Sequence, residues 1–255
     1  MRREGRTRNV AAHRLGARPA IDRRLLLASA AATMVASGFP AARSTAQAAP
    51  HRIFRHGEFE ITVLSDGNLV TPPPALAVNA EPEALRAALA LAGHANERIE
   101  PPCNVTLIRS RTDVILVDAG AGPHFVPTAG RLLANMEKAG IDPNSVTKVV
   151  YTHAHPDHLW GTLDDFDDAP NFPNASYVMS AAEWNFWSAE DAAARLPDDR
   201  KFFAASTRRI LAAIKDRTAI VTPGQDIVPG LRALSTAGHM QATSRSNWYP
   251  ETTRC

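Results

Sequence analysis

Four side chains of the kinds that bind divalent metals lie within six residues near the middle of this 255-residue chain. His153, His155, Asp157 and His158 follow directly after a short apolar run at 149–151. Imidazole nitrogens and carboxylate oxygens are the ligands that hold zinc and similar ions in hydrolytic sites. A lone histidine is most simply a surface residue, but four such side chains this close together predict a metal site.

The spacing divides these residues into two pairs. His153 and His155 alternate, so in an extended backbone their side chains point the same way and can hold one ion. Pro156 then turns the chain, which lets Asp157 and His158 reach a second ion. Two ions about 3.5–4 Å apart bridge a hydroxide and lower its pKa towards neutrality. Asp157 is also the candidate catalytic residue, because its carboxylate would orient that hydroxide.

The elements before the cluster predict a rigid support for it. The apolar pattern at 146–152 predicts a buried strand that delivers the histidines, and 131–139 predicts the helix before it. Two further apolar runs, 103–108 and 113–117, predict a hairpin. The order strand, helix, strand predicts a parallel pair joined by a crossover.

Asp118 stands at the tip of this hairpin, before Gly120 and Gly122. Glycines there allow another chain segment to approach closely, and their spacing is too short for a dinucleotide fingerprint. Asp118 either orients a metal ligand from behind or is a turn residue that bonds its own backbone. The sequence leaves both readings open.

The other segments predict scaffold elements. Asp66-Gly67 predicts a turn. Strands are expected at 53–55, 58–64, 176–180, 220–221, 227–228 and 231–234, and helices at 81–91, from Glu183 onwards and at 198–216.

Aromatic side chains near the cluster are candidates for a substrate pocket. They are Trp160, Trp184 and Trp187. For Trp184 and Trp187, which flank Phe186, packing in the core is the more common role of such large side chains.

The charges separate a leader from an acidic body. Residues 1–48 carry nine arginines, one Glu and one Asp, which is a net charge of +7. Because the whole chain has a net charge of +2, the remaining residues carry −5. That balance argues against nucleic-acid binding, which needs clustered Lys and Arg.

Arg23-Arg24 precedes an apolar stretch at 25–38 that is too short to cross a membrane. We therefore expect a twin-arginine-like export signal and a periplasmic or secreted protein without a membrane anchor after signal cleavage. A mitochondrial-type presequence or a misassigned start codon is the alternative.

The stretch from His153 to His158, followed by Leu159-Trp160-Gly161 and preceded by the hairpin tip at 116–120, resembles the metallo-β-lactamase superfamily. The resemblance covers about residues 53–239 and implies an α/β fold, the αβ/βα sandwich of two similar halves. The leader, the proline-rich loop at 71–74 and the tryptophan-rich helical region resemble the branch of organophosphate hydrolases and quorum-quenching lactonases. The implied cofactor is Zn²⁺ or another divalent metal, as one or two ions.

The resemblance also implies a later histidine ligand, and His239 is the candidate for it. The family's next aspartate and last histidine have no counterpart in 240–255, which is polar and lacks an apolar run of strand length. We therefore expect an export signal at 1–48, a domain at 49–239 whose second half is incomplete, and an atypical polar tail. His153, His155 and His239 would suffice for one zinc ion.

The expected function is zinc-dependent hydrolysis of an ester, lactone or phosphotriester by metal-bound hydroxide, with activity absent or reduced by truncation. The substrate would be a small molecule. Two alternatives remain: a non-catalytic metal- or ligand-binding remnant, and an iron-dependent oxygenase of the same fold.

Overall fold

The structure is a computed structural model that describes residues 51–72, 77, 80–93, 99–236 and the backbone of 246–250. The expected leader at 1–48 and the candidate ligand His239 lie outside the described residues.

A seven-stranded sheet positions the histidine cluster, and its strands lie side by side in chain order. They are β1 (His51–His56), β2 (Phe59–Asn68), β3 (Pro102–Arg109), β4 (Val114–Val117), β5 (Lys148–Val150), β6 (Ser176–Ser180) and β7 (Thr218–Val221). Neighbours from β1 to β4 are antiparallel, and those from β4 to β7 are parallel. Both the predicted hairpin and the predicted parallel pair are therefore confirmed.

Among the described residues, five α-helices connect or flank these strands. They are α1 (Pro82–Leu91), α2 (Leu132–Lys138), α3 (Pro156–Leu159), α4 (Ala181–Ser188) and α5 (Phe202–Ile214). Parallel strands need crossover connections, and α2 to α5 lie in the three crossovers between β4 and β7. Within the described part of the chain, no helix is both long enough and apolar enough to span a membrane.

Hydrophobic clusters cover both faces of the sheet, and β5 contributes to each. Val149 and Tyr151 belong to the larger cluster, which contains side chains of α2, α4 and α5. Val150 points the other way and packs in a smaller cluster with Leu231. Because successive strand residues face opposite sides, a strand buried on both faces has an unbroken apolar sequence. The strand that ends at the histidines is therefore held by side chains on both faces.

A second sheet contributes to the smaller cluster. It consists of β8 (Asp226–Val228), β9 (Leu231–Ser235) and β10 (Ser246–Pro250), in the order β10-β9-β8. Part of the expected polar tail forms a strand, because the backbone of β10 pairs antiparallel with β9. Ladder hydrogen bonds come from the main chain, so a polar segment can add to an available sheet edge.

The predicted turn at Asp66-Gly67 is also wrong, because both residues belong to β2, at an irregularity in its pairing with β3. Asp66 is fully buried. Its carboxylate accepts backbone N–H groups of Ala121 and Leu132 at 2.8 Å and of Gly130 at 3.3 Å. Asp66 thus fastens the loop after β4 at both of its ends. Burial raises the pKa of Asp66, and these N–H donors oppose the shift.

Candidate metal centre

The four candidate ligands follow the carboxyl end of β5, where the chain leaves the sheet. Tyr151 is fully buried, and its hydroxyl oxygen lies 2.7 Å from that of Thr162. His155 precedes the first turn of α3, which begins at Pro156. Proline suits this first helical position because its fixed φ matches the helix and the missing N–H is not needed there. The strand and the helix start therefore fix both ends of the segment.

His153 and His155 lie side by side in the interior. Their side chains are buried, and His153 Nε2 is 3.0 Å from His155 Nδ1. Their ring centroids are 4.6 Å apart. This arrangement brings the alternating histidines to one place.

Asp157 and His158 form the second pair next to the first. His158 Nε2 lies 3.2 Å from Asp157 Oδ2. The His158 ring is also 4.0 Å from that of His153, measured between centroids. One region of the molecule thus contains three imidazoles and a carboxylate.

Asp118 accepts hydrogen bonds from residues of this region. Its Oδ2 accepts from Nδ1 of His158 at 2.7 Å, and its Oδ1 accepts the Thr152 N–H at 2.7 Å. The Thr152 hydroxyl lies within 3.0 Å of both carboxylate oxygens and also of His153 Nδ1. Of the two roles left open by the sequence, these contacts match orientation of a ligand. The hydrogen bond at Nδ1 leaves His158 Nε2 directed towards Asp157.

The charges of this region favour ionised side chains in the metal-free protein. Burial alone would lower the pKa of His158, but Asp118 and Asp157 outweigh it and raise the pKa to about 10. Burial would raise the pKa of Asp157, yet the hydrogen bond and charge of His158 lower it. His158 therefore carries a proton at neutral pH in the metal-free protein, and it would have to lose this proton to serve as a metal ligand.

The glycines after Asp118 permit a close contact between two backbones. Ala119 N–H donates to the carbonyl of His158 at 2.7 Å, and Gly161 N–H donates to that of Gly120 at 2.9 Å. A Cβ atom on Gly161 would lie only 2.2 Å from the Ala119 carbonyl oxygen. The segment that approaches these glycines is thus the one that carries His158.

Aromatic side chains extend from the first histidine pair towards the surface. The His155 ring is 6.4 Å from Phe203, and Phe203 is 6.0 Å from Trp160. Phe125 lies against both, 5.7 Å from Trp160 and 5.9 Å from Phe203. Trp160 was a pocket candidate, whereas Phe125 and Phe203 were not. They lie far from the motif in sequence, and only the fold brings them there.

The other two pocket candidates have different surroundings. Trp187 is fully buried in the core, and its ring lies 6.3 Å from that of His155. Trp184 is half-buried and lines a groove of about 620 Å³ with Arg208 and Lys215. None of the four candidate ligands lines that groove.

A smaller cavity of about 240 Å³ opens at the second pair, with Asp118, Asp157 and His158 on its wall. Leu69 and Cys103 also line it. Burial, with a smaller contribution from the charge of Asp157, raises the pKa of the Cys103 thiol to about 12.

The donor chemistry of this region fits a divalent metal, because imidazole and carboxylate are zinc ligands and His158 has the carboxylate support typical of them. Among the described residues, no three His, Cys, Asp or Glu side chains are grouped so that they could hold an ion by themselves. The described part of the site is therefore two adjacent donor pairs.

Comparison with solved structures finds the same fold. "AidC, a dizinc quorum-quenching lactonase", has 24% identity and a TM-score of 0.72, over 80% of this chain and 71% of that one. The "hydrolase AbOPH in beta lactamase superfamily" has 27% identity and a TM-score of 0.68, over 78% of this chain and 69% of that one. A "probable metal-dependent hydrolase from Staphylococcus aureus" has 20% identity and a TM-score of 0.61, over 75% and 69%.

No curated protein sequence matches the chain. Residues 98–243 match the family model described as "Metallo-beta-lactamase superfamily", and this region is more than half of the chain. It contains the hairpin, Asp118 and all four candidate ligands of the described region. The expected resemblance is confirmed: the chain belongs to the metallo-beta-lactamase superfamily.

Proposed function

We propose that the protein is a metal-dependent hydrolase of small, largely apolar esters, lactones or phosphotriesters. The observation that carries the proposal is the placement of two donor pairs side by side, with Asp118 behind His158 at 2.7 Å. The similar structures of a dizinc lactonase and of a hydrolase from this superfamily also support it.

The residues have distinct roles in this proposal. His153 and His155 would hold one ion, and Asp157 and His158 would hold a neighbouring ion or complete the first site. A bound divalent ion supplies Lewis acidity for the substrate oxygen and makes a coordinated water more acidic. His158 keeps the pKa of Asp157 low, so its side chain is a carboxylate that would accept a hydrogen bond from the attacking water and orient it.

The aromatic side chains next to His155 support an apolar substrate. Phe203, Trp160 and Phe125 are each partly buried and face one another edge to face. Such a surface binds an acyl chain or an aryl group by burying it from water, at roughly 25 cal/mol for each Å² of apolar area.

The test is hydrolysis by the purified chain after zinc loading. The substrates are an N-acyl homoserine lactone, a p-nitrophenyl ester and a phosphotriester such as paraoxon. We expect zinc-dependent turnover of at least one of them. His153→Ala should lower the rate of hydrolysis by more than about 100-fold, because losing a metal ligand costs more than losing a residue that hydrogen-bonds to a ligand. His56→Ala is the matched control, since His56 ends β1, which lies four strands away from β5 in the sheet.

Metal analysis of the same samples separates the alternatives. The ligand count of the sequence predicts at most about one tightly bound zinc per chain. Zinc binding without turnover of any substrate would support a non-catalytic binding protein, and iron in place of zinc would support an oxygenase. A protein that binds no divalent metal would refute the proposal.

A further inference from the structure

Glu183 is a buried carboxylate next to the histidine pair, and the roles assigned above do not use it. Its side chain is only 2% exposed and lies in the first turn of α4. The helix start is fixed by Ser180, whose hydroxyl accepts the Glu183 N–H at 3.3 Å. The backbone that carries this carboxylate is therefore held in place.

One oxygen of Glu183 connects α4 to the loop of the candidate ligands. Oε2 accepts the backbone N–H of Ala154 at 3.0 Å and the indole N–H of Trp187 at 3.0 Å. Ala154 is fully buried and lies between His153 and His155 in the chain. The hydrogen bond thus holds the peptide group that joins His153 to Ala154, in the segment that carries both histidines.

The residue type adds information beyond the hydrogen bonds. Burial of a carboxylate is costly unless it is well bonded, and a glutamine oxygen could accept the same two N–H groups without a charge. A negative charge bonded to the loop that carries two imidazoles stabilises a cation held by them, more strongly in the interior than in water. A carboxylate at this position has an electrostatic use that an amide lacks.

We propose that Glu183 is a positioning residue for the candidate metal centre. Through the Ala154 N–H it sets the orientation of His153 and His155, and through its charge it increases their affinity for a divalent cation. The inference rests on the proposed function, because it concerns the same metal site. The competing interpretation is purely structural: Glu183 would only attach Trp187 and α4 to the sheet.

Three variants separate these interpretations. Glu183→Gln can keep both hydrogen bonds and removes the negative charge. Glu183→Ala removes both the charge and the acceptor of the Ala154 N–H. Trp187→Phe is the matched control, because it loses the indole donor to the same oxygen but keeps an aromatic ring next to His155 and leaves the bond to Ala154.

The primary measurement is the dissociation constant for zinc, by competition with a chromophoric chelator. We expect a rise of about 10–100-fold for Glu183→Ala, as for other outer supports of ligands, and a smaller rise for Glu183→Gln. For Trp187→Phe we expect a lower unfolding temperature but a zinc affinity within about threefold of wild type, since the support of the histidines remains.

A second measurement needs no metal. In the metal-free protein, hydrogen exchange at the Ala154 amide should accelerate at least about tenfold in Glu183→Ala and stay near wild type in Glu183→Gln and Trp187→Phe. If the wild-type protein binds no zinc, the proposed function fails, while this measurement still tests the positioning. The inference is overturned if Glu183→Ala and Trp187→Phe weaken zinc binding equally, or if Glu183→Ala changes neither affinity nor exchange. Should Glu183→Ala not fold, unchanged zinc affinity in Glu183→Gln overturns the electrostatic contribution.

Discussion

Replacement of Asp118 by asparagine tests the support of His158 with a minimal change of shape. Asp118 has a φ of 66°, a left-handed conformation that asparagine tolerates as well as aspartate. The amide oxygen can still accept the Thr152 N–H that Asp118 now accepts at 2.7 Å. The negative charge that faces His158 Nδ1 is lost. Asp118→Asn therefore removes one electrostatic contact and leaves the backbone as it is.

The expected change in zinc affinity follows from the hydrogen bond between Asp118 and His158. A hydrogen bond of 2.7 Å between a carboxylate and an imidazole belongs to the charge-assisted class, which contributes about 1.5–3 kcal/mol. Since about 1.4 kcal/mol corresponds to a tenfold change in a binding constant, we expect the dissociation constant for zinc to rise by about 10–100-fold.

The metal-free protein gives an independent signature through pH. Asp118 and Asp157 raise the pKa of His158 from 6.5 to about 10, against the opposing effect of burial. A raised pKa stabilises the folded state fully below pH 6.5, and this contribution is lost as the pH rises through about 10. The unfolding temperatures of wild type and Asp118→Asn should therefore differ most near pH 6 and become closer towards pH 10.

Both effects can be measured on chelator-treated protein, by zinc titration against a competing dye and by thermal unfolding at several pH values. Asp168→Asn is the control, because Asp168 also has a positive φ, of 59°, and is paired with Arg209 outside the site. That variant should leave zinc affinity unchanged. An unaltered zinc affinity in Asp118→Asn, or a stability difference that does not depend on pH, would refute the assigned role of Asp118.

Two further substitutions test the loops behind the site. Gly161→Ala would place a Cβ atom 2.2 Å from the Ala119 carbonyl oxygen. We therefore expect the folded state to be destabilised by about 2 kcal/mol or more and zinc binding to be weaker. A stability within about 0.5 kcal/mol of wild type would contradict the close packing. Asp66→Ala leaves three backbone N–H groups without their acceptor, and at about 1–3 kcal/mol each the loss should reach about 3 kcal/mol in urea unfolding. An unchanged unfolding midpoint would show that water replaces the carboxylate.

Local patterns in the sequence were sufficient for the strand and spacing that define the site. The apolar run before His153 predicts a strand buried on both faces, and Val149 and Val150 do point to opposite clusters. The alternation of His153 and His155 is likewise a short-range property of the chain. The glycines after Asp118 indicated a close approach, and the fold shows that the segment with His158 is the partner.

Other features depend on contacts between distant parts of the chain and leave no local signal. Asp66-Gly67 has the composition of a hairpin turn, yet its carboxylate binds backbone groups more than fifty residues away. Phe125 and Phe203 lie 78 positions apart but are in ring contact. The strand β10 pairs with β9, and no local pattern in 246–250 identifies that partner. In each case the role of the residue or strand depends on a partner that is distant in the sequence. A local sequence pattern does not identify that partner.

The way Asp66 fastens its loop has a consequence for how this protein can diversify. Ala121 and Leu132 bind the same carboxylate, and a Cβ on Gly130 would lie 2.2 Å from the Gly122 carbonyl oxygen. The segment 123–129 is therefore a closed lobe whose base is fixed, and it carries Phe125 towards Trp160. Mutations and length changes within the lobe can remodel the proposed substrate surface without disturbing the strand that bears the histidines. Randomised libraries aimed at new substrates should begin with this lobe and leave its base untouched.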